Sequence, residues 1–167
     1  MMDELERFIR LGTDDEKLDA LYSLSGLQVL PSWLSSAPAE ELLLHDDPNI
    51  RERAAFVFGI KLKRTDLCHA FEAILTSTPA HNLATLSVAA LAMLATGCRP
   101  SENVLDQLIV LLKTPDVNAK IGSIIYALLL HHLDYLTANT LRDLLTQDGP
   151  ISDYEIQRVE MLTKSRA

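Results

Sequence analysis

Asp46-Asp47-Pro48-Asn49-Ile50-Arg51-Glu52-Arg53-Ala54-Ala55-Phe56-Val57-Phe58-Gly59 reads as one helix whose start and buried face are both written in its residues. The carboxylate of Asp47 suits the unpaired N–H groups of a first turn and the positive end of the helix dipole. Pro48 falls at the first helical position, where its missing N–H would have had no partner anyway. Ile50, Ala54, Val57 and Phe58 follow at i, i+4, i+7 and i+8, which is one helical stripe. Ala54 and Ala55 are small and let a neighbouring helix come close.

The pattern returns twice downstream. Ile50 aligns with Leu83 about 33 residues later, and Leu83 with Val117 about 34 residues after that. On this alignment Thr78-Pro79 and Thr114-Pro115-Asp116 stand for Asp47-Pro48, while Ser87-Val88 and Ile121-Gly122 stand for Ala54-Ala55. Asp14-Asp15-Glu16-Lys17-Leu18 opens an earlier copy. A period in the thirties with two helices per unit marks an α-solenoid, because each unit buries its apolar face only against its neighbours. The expected fold is therefore all-α: a short alpha-alpha superhelix of about five antiparallel helix pairs in a single domain over residues 1–167. Its connections are expected at 12–16, 45–48, 76–79, 113–116 and 146–152.

Asp47, Ile50, Arg51, Ala54 and Ala55 match, position by position, the Asp-x-x-Val-Arg-x-x-Ala-Ala opening of the second helix in the HEAT-repeat family, which this chain resembles. The copy from Asp116 keeps Val117 but has Asn118 in place of the arginine, and the copy from Pro79 keeps only apolar and small positions. The resemblance implies a HEAT-like solenoid with a concave face lined by the second helices. It also implies aspartate–arginine ladders between units, interrupted here after Arg51.

Charge is unevenly placed. The 167 residues carry a formal net charge of −8, and residues 1–50 hold eleven acidic and three basic side chains, which accounts for all of it. A nucleic-acid binder needs a basic footprint, so the balance argues against that class. A basic protein partner at the N-terminal end, or a soluble cap on the array, fits it. Two cysteines, Cys68 and Cys98, make no disulfide framework and no zinc site, and are expected as buried free thiols. The start Met1-Met2-Asp3-Glu4-Leu5 lacks the basic and apolar regions of a signal peptide. The uncharged run from Ala80 to Cys98 is too polar for a membrane span. A cytoplasmic location is the expectation.

Taken in order, Leu5, Phe8 and Ile9 form the inner face of a first helix that Gly12 ends in a left-handed cap. Leu18, Leu21, Tyr22 and Leu24 form the inner stripe of the second. Trp33 reads as packing between the first units rather than as an interface anchor. His45-Asp46-Asp47 offers weak metal ligands, and a helix cap explains both aspartates. Lys61-Leu62-Lys63-Arg64 is either a phosphate or acidic-partner patch or, more simply, a solvated helix end. Leu83 to Ala95 is apolar nearly all round, which predicts a helix covered on most sides with Leu91 deep in the array. Gly97 ends it. His131-His132 closes a further helix and points to two different faces, which makes a poor metal pair.

No catalytic constellation, metal site, nucleotide loop or cofactor motif emerges. The leading expectation is a non-enzymatic adaptor that binds another protein on its concave face. Counting outward from the core positions, that face exposes Glu52, Arg53 and Phe56, then Asn82 and Thr85, then Lys120 and Ser123. A second reading is an inhibitor or immunity-type protein that meets a basic partner through Asp14, Asp15, Glu16 and Asp19, since complementary charge speeds association. A third, an enzyme akin to HEAT-like lyases or DNA glycosylases, lacks a nucleophile–base pair: His69 adjoins Cys68 in sequence and so faces elsewhere.

Overall fold

The computed structural model describes residues 2–79, 82–112 and 157, and among the described residues all regular structure is helical. Seven α-helices run α1 Glu4–Leu11, α2 Asp14–Gly26, α3 Ala39–Leu43, α4 Pro48–Ala54, α5 Cys68–Ser77, α6 Leu83–Thr96 and α7 Glu102–Leu112. Short 3-10 turns occupy Ser32–Ser36 and Thr65–Leu67, and α4 runs on without a break into a π-helical segment, Ala55–Lys61. Helix α1 packs on α2, α3 on α4 and α5 on α6. The even helices α2, α4 and α6 touch in succession, and so do α3, α5 and α7. The expected connections at 113–116 and 146–152 lie outside the described residues.

Three caps set the rhythm of the even helices. Thr13, Asp47 and Asn82 each accept a first-turn backbone N–H with a side-chain oxygen, and they stand 34 and 35 residues apart. Thr13 and Glu16 complete a reciprocal capping box. Seven residues beyond each cap is a buried alanine: Ala20, Ala54 and Ala89. Eight beyond come Leu21, Ala55 and Ala90, and eleven beyond come Leu24, Phe58 and Met93, all buried. Counted from the caps, the counterpart of Ile50 is Thr85, not Leu83. The sequence alignment sets Leu83 against Ile50, but the cap is Asn82, whose side-chain carbonyl accepts the Thr85 N–H at 3.4 Å and puts Thr85 level with Ile50.

The π-helical segment was not expected. The Leu62 N–H reaches back five residues to the Val57 carbonyl at 2.9 Å. Ala55, Val57, Phe58 and Gly59 are all buried there, more than one narrow stripe would bury. Helix α6 makes its broadest contact with this segment. The closest approach is at Gly59, where an added Cβ would lie 2.4 Å from the Ala92 Cβ.

Three cations expected at a solvated helix end or in an inter-unit ladder serve the chain's own carbonyls. Lys61 Nζ donates to the Ser25 carbonyl at 2.7 Å and to that of Leu27, closing the end of α2. Arg64 donates to the Ala37 carbonyl at 3.0 Å and holds Asp66 through two bonds, 3.1 and 2.7 Å. Arg51 donates to the His45 and Asp46 carbonyls of its own unit rather than across units. Trp33 packs against the core and donates its Nε1–H to Asp3, the cap of α1, at 2.8 Å. Gly12 does not take the left-handed conformation (φ −74°); a Cβ there would lie 2.5 Å from the Phe8 carbonyl oxygen.

Cys68 and Cys98 are not free thiols but a disulfide, with Cα atoms 5.5 Å apart. Gly97, with φ at +69°, makes the turn that allows it: Gly97 N–H bonds Leu94 O and Cys98 N–H bonds Met93 O, the paired bonds of a Schellman ending. The chain thus turns back from the end of α6 to the start of α5. Cysteine count alone carried no signal for this, since the turn that joins the two is a tertiary feature.

Two outcomes follow for stability. Alanine normally favours a helix over glycine by about 1 kcal/mol, yet Gly59→Ala lowers unfolding free energy by about 1–3 kcal/mol because the added methyl overpacks the contact with α6. Adding Ala92→Gly recovers part of that loss in a double-mutant cycle read by urea unfolding. Purely additive losses refute the contact. Reducing the disulfide costs about 3–4 kcal/mol on the loop-closure account for a loop of this length, measured as a shift in the urea midpoint with and without reductant; coincident curves refute it.

Candidate functional site

The even helices present one face that the core does not use. Nine residues beyond each cap stand Tyr22 on α2, Phe56 on the π-helical continuation of α4 and Leu91 on α6. None of the three belongs to the core formed by the described residues. Tyr22 is 52% exposed, and Phe56 and Leu91 are half-buried. Two expectations are corrected here: Tyr22 is not on the inner stripe of α2, and Leu91 is not deep in the array. Tyr22 reads inward from helical period and Leu91 from a helix apolar nearly all round; counting from the caps places both outward in register with Phe56.

Arg53 joins the first two members of the row. Its guanidinium carbon lies 4.5 Å from the centre of the Tyr22 ring and 5.4 Å from that of Phe56. Its Nε is buried and, among the described residues, without a hydrogen-bond partner. Stacking of this kind fixes a long side chain in one place and leaves the guanidinium edge to act as a donor fork.

The remaining expected contacts divide. Glu52 is half-buried and accepts from the Thr85 hydroxyl at 3.5 Å. Asn82 is the cap of α6. Thr85, expected to face outward, is 1% exposed, because it takes the place of Ile50 in the repeat. Lys120 and Ser123 lie outside the described residues.

The acidic end also divides. Asp14 pairs with His45 Nε2 at 3.0 Å, while His45 Nδ1 accepts the Asp47 N–H at 3.0 Å. Those two bonds assign the proton to Nε2 and give His45 a structural part, tying the start of α2 to the turn before α4. Glu16 is spent in the capping box. Asp15 and Asp19 are exposed and, among the described residues, unpaired. They precede Tyr22 by seven and three residues, so all three share one face of α2. The two surfaces read separately from sequence, the groove and the acidic end, therefore adjoin.

Elsewhere the titratable groups serve structure. The Arg64 guanidinium bonded to Asp66 holds that carboxyl below the usual carboxylate range. The small stabilisation this gives an exposed pair is present above the unfolded pKa and is lost as pH falls through the lower folded one. His69 pairs with Glu40 at 3.1 Å. Among the described residues no three His, Cys, Asp or Glu side chains gather as metal ligands would, and no helix is long and apolar enough to cross a membrane. No family model matches the chain, and no curated protein or solved structure matches it.

The burial of Thr85 is directly testable. Thr85→Val, nearly isosteric, stays within about 1 kcal/mol of the parent, whereas Thr85→Asp buries a carboxylate and costs several kcal/mol. Equal melting temperatures for the parent and Thr85→Asp would return Thr85 to the surface.

Proposed function

We propose that this chain is a non-enzymatic protein-binding module, an α-solenoid of the HEAT-repeat kind with about five helix pairs, that holds another protein on the face of its even helices. The observation that carries this is the row Tyr22–Phe56–Leu91: one large apolar side chain per unit, at one place in the repeat, kept out of the core. A stacked array supplies such a row without any catalytic geometry. Tyrosine, arginine and phenylalanine gathered on an open face are the side chains that dominate protein interfaces. The acid-rich reading, an inhibitor of a basic protein, is absorbed into the same surface, since Asp15 and Asp19 border the row.

Location follows the disulfide. A reducing cytoplasm keeps most cysteines as thiols, so the bonded form described here belongs to an oxidising compartment. A cytoplasmic chain would carry Cys68 and Cys98 reduced.

The test is affinity capture from source-cell lysate, at low and moderate salt, read by mass spectrometry. The parent chain is compared with Tyr22→Ala/Phe56→Ala and with Leu44→Ala, an exposed apolar residue at the end of α3 outside the row. The expected result is a protein retained by the parent and by Leu44→Ala but released by the double variant, with all three chains folded by circular dichroism. Retention by the double variant, or no protein specifically retained, overturns the proposal.

A further inference from the structure

The bridge between Cys68 and Cys98 is lopsided. Cys98 is 2% exposed and belongs to the core, whereas Cys68 is half-buried at the first position of α5. Exchange proceeds only at a sulfur that the attacking thiolate can reach, so a thiol arriving from solution meets Cys68 and not Cys98. Each sulfur also has an oxygen beside it. The Thr65 carbonyl oxygen lies 3.3 Å from the Cys68 sulfur, and the Thr96 hydroxyl oxygen 2.9 Å from that of Cys98. The Thr96 hydroxyl spends its proton on the Ala92 and Met93 carbonyls, at 2.7 and 3.2 Å, which leaves its oxygen to accept.

We propose that Cys68 is a site of reversible modification by a low-molecular-weight thiol, and that opening the bridge there unlatches α7 from α5. The thiolate attacks the Cys68 sulfur and forms a mixed disulfide with it. The bond to Cys98 breaks, and Cys98 leaves with the electron pair and takes a proton from solvent. A second thiolate attacks the small-molecule sulfur of the mixed disulfide and releases Cys68, which is protonated in turn. Two thiols are oxidised to one disulfide as the bridge is reduced to two thiols. Both products find acceptors already in place: Cys98 S–H donates to Thr96 and Cys68 S–H to Thr65, so the buried thiol is not orphaned.

The bridge holds the place where α7 begins. Cys98 follows the left-handed Gly97 at the end of α6, and α7 starts at Glu102, so the tie from Cys98 to the first residue of α5 keeps this short link against α5. Beyond the bridge, the Ser101 N–H donates to the Glu72 carboxylate, and Val104 and Leu108 are buried. The packing beneath them is incomplete. A half-open cavity of about 150 Å³ lies between Leu75, Thr78, Leu86, Val104 and Leu108. Side chains that face such a space lose dispersion contacts on that side. Helix α6 is seated differently: Gly59 meets Ala92, and Ala89, Ala90 and Met93 are fully buried, a seam that does not pass through the bridge. Opening the bridge therefore loosens α7 and leaves α6 in place, a local opening rather than a global one.

Two measurements on the full oxidised chain test this. In the first, glutathione is added for a series of short times, the reaction is quenched in acid and the adduct is mapped by mass spectrometry. The adduct is expected on Cys68, about tenfold or more above Cys98. Glutathione disulfide likewise modifies Cys98→Ser at Cys68 and leaves Cys68→Ser unmodified. In the second, hydrogen exchange over seconds to minutes compares the oxidised chain with the chain reduced by dithiothreitol. Amides of α7 exchange about tenfold faster or more on reduction, while those of α6 stay protected in both forms. Reoxidation with glutathione disulfide restores the protection of α7.

Adducts shared equally by the two cysteines, an adduct that appears first on Cys98, or a bridge that glutathione opens only in denaturant would each overturn Cys68 as the point of entry. Unchanged exchange in α7, or equal gains in α6 and α7 because the reduced chain opens as a whole, would overturn the latch.

Discussion

The approach of the π-helical segment to α6 at Gly59 and Ala92 is the contact on which the other packing depends. Two helical backbones come together there with no side chain between them beyond one methyl group. Such closeness requires small residues on both sides, and the repeat supplies them: Ala54, Ala55 and Gly59 on one partner, Ala89, Ala90 and Ala92 on the other. Large side chains flank the seam instead of filling it. Phe58 and Phe71 are fully buried beside it, and Phe71 lies 3.0 Å from the Cβ position of Gly59. A core packed this tightly has little slack, and a change of one methyl is felt.

Close packing of helices leaves their ends to be satisfied, and the cations that follow Asp47 do much of that. Carbonyls at the end of α2, after the 3-10 turn and before α4 accept from Lys61, Arg64 and Arg51. All of these acceptors lie within residues 1–50, the part of the chain that holds the −8. Basic side chains after residue 50 thus reach back into the acidic part and act as donors to its backbone more than as partners to its carboxylates. Buried or half-buried carbonyls need donors wherever the helices stop, and a long flexible cation reaches them across a turn.

Much of the architecture was legible in local chemistry. The caps at Thr13 and Asp47, the proline after Asp47, the glycine after α6 and the alanines of the central helix each act within a few residues of sequence. The rest depends on contacts distant in sequence. Thr85 reads outward on the Ile50–Leu83 alignment, whereas the cap at Asn82 moves the register by two residues and sets Thr85 level with Ile50. Tyr22 reads inward because period alone does not say where a stripe ends, and Leu91 because a helix apolar nearly all round shows no open face in its sequence. Their outward register appears only once three caps are known. Arg53 was legible as an outward residue, but not its place between two rings on different helices. The disulfide and the π-helical segment left no local mark, since each is made by a contact with another helix.

The loop that Cys68 and Cys98 close also bears on how the chain answers a pull on its ends. Tension passes through the sulfur bridge and bypasses the 30 peptide steps between the two cysteines. At about 3.4 Å per residue those steps hide about 100 Å of contour length, which stays out of reach while the bridge is closed. Helices α5 and α6 lie inside that loop, so an oxidised chain stretched from its ends keeps this pair as a covalent bead. Reduction turns the bead back into extensible chain.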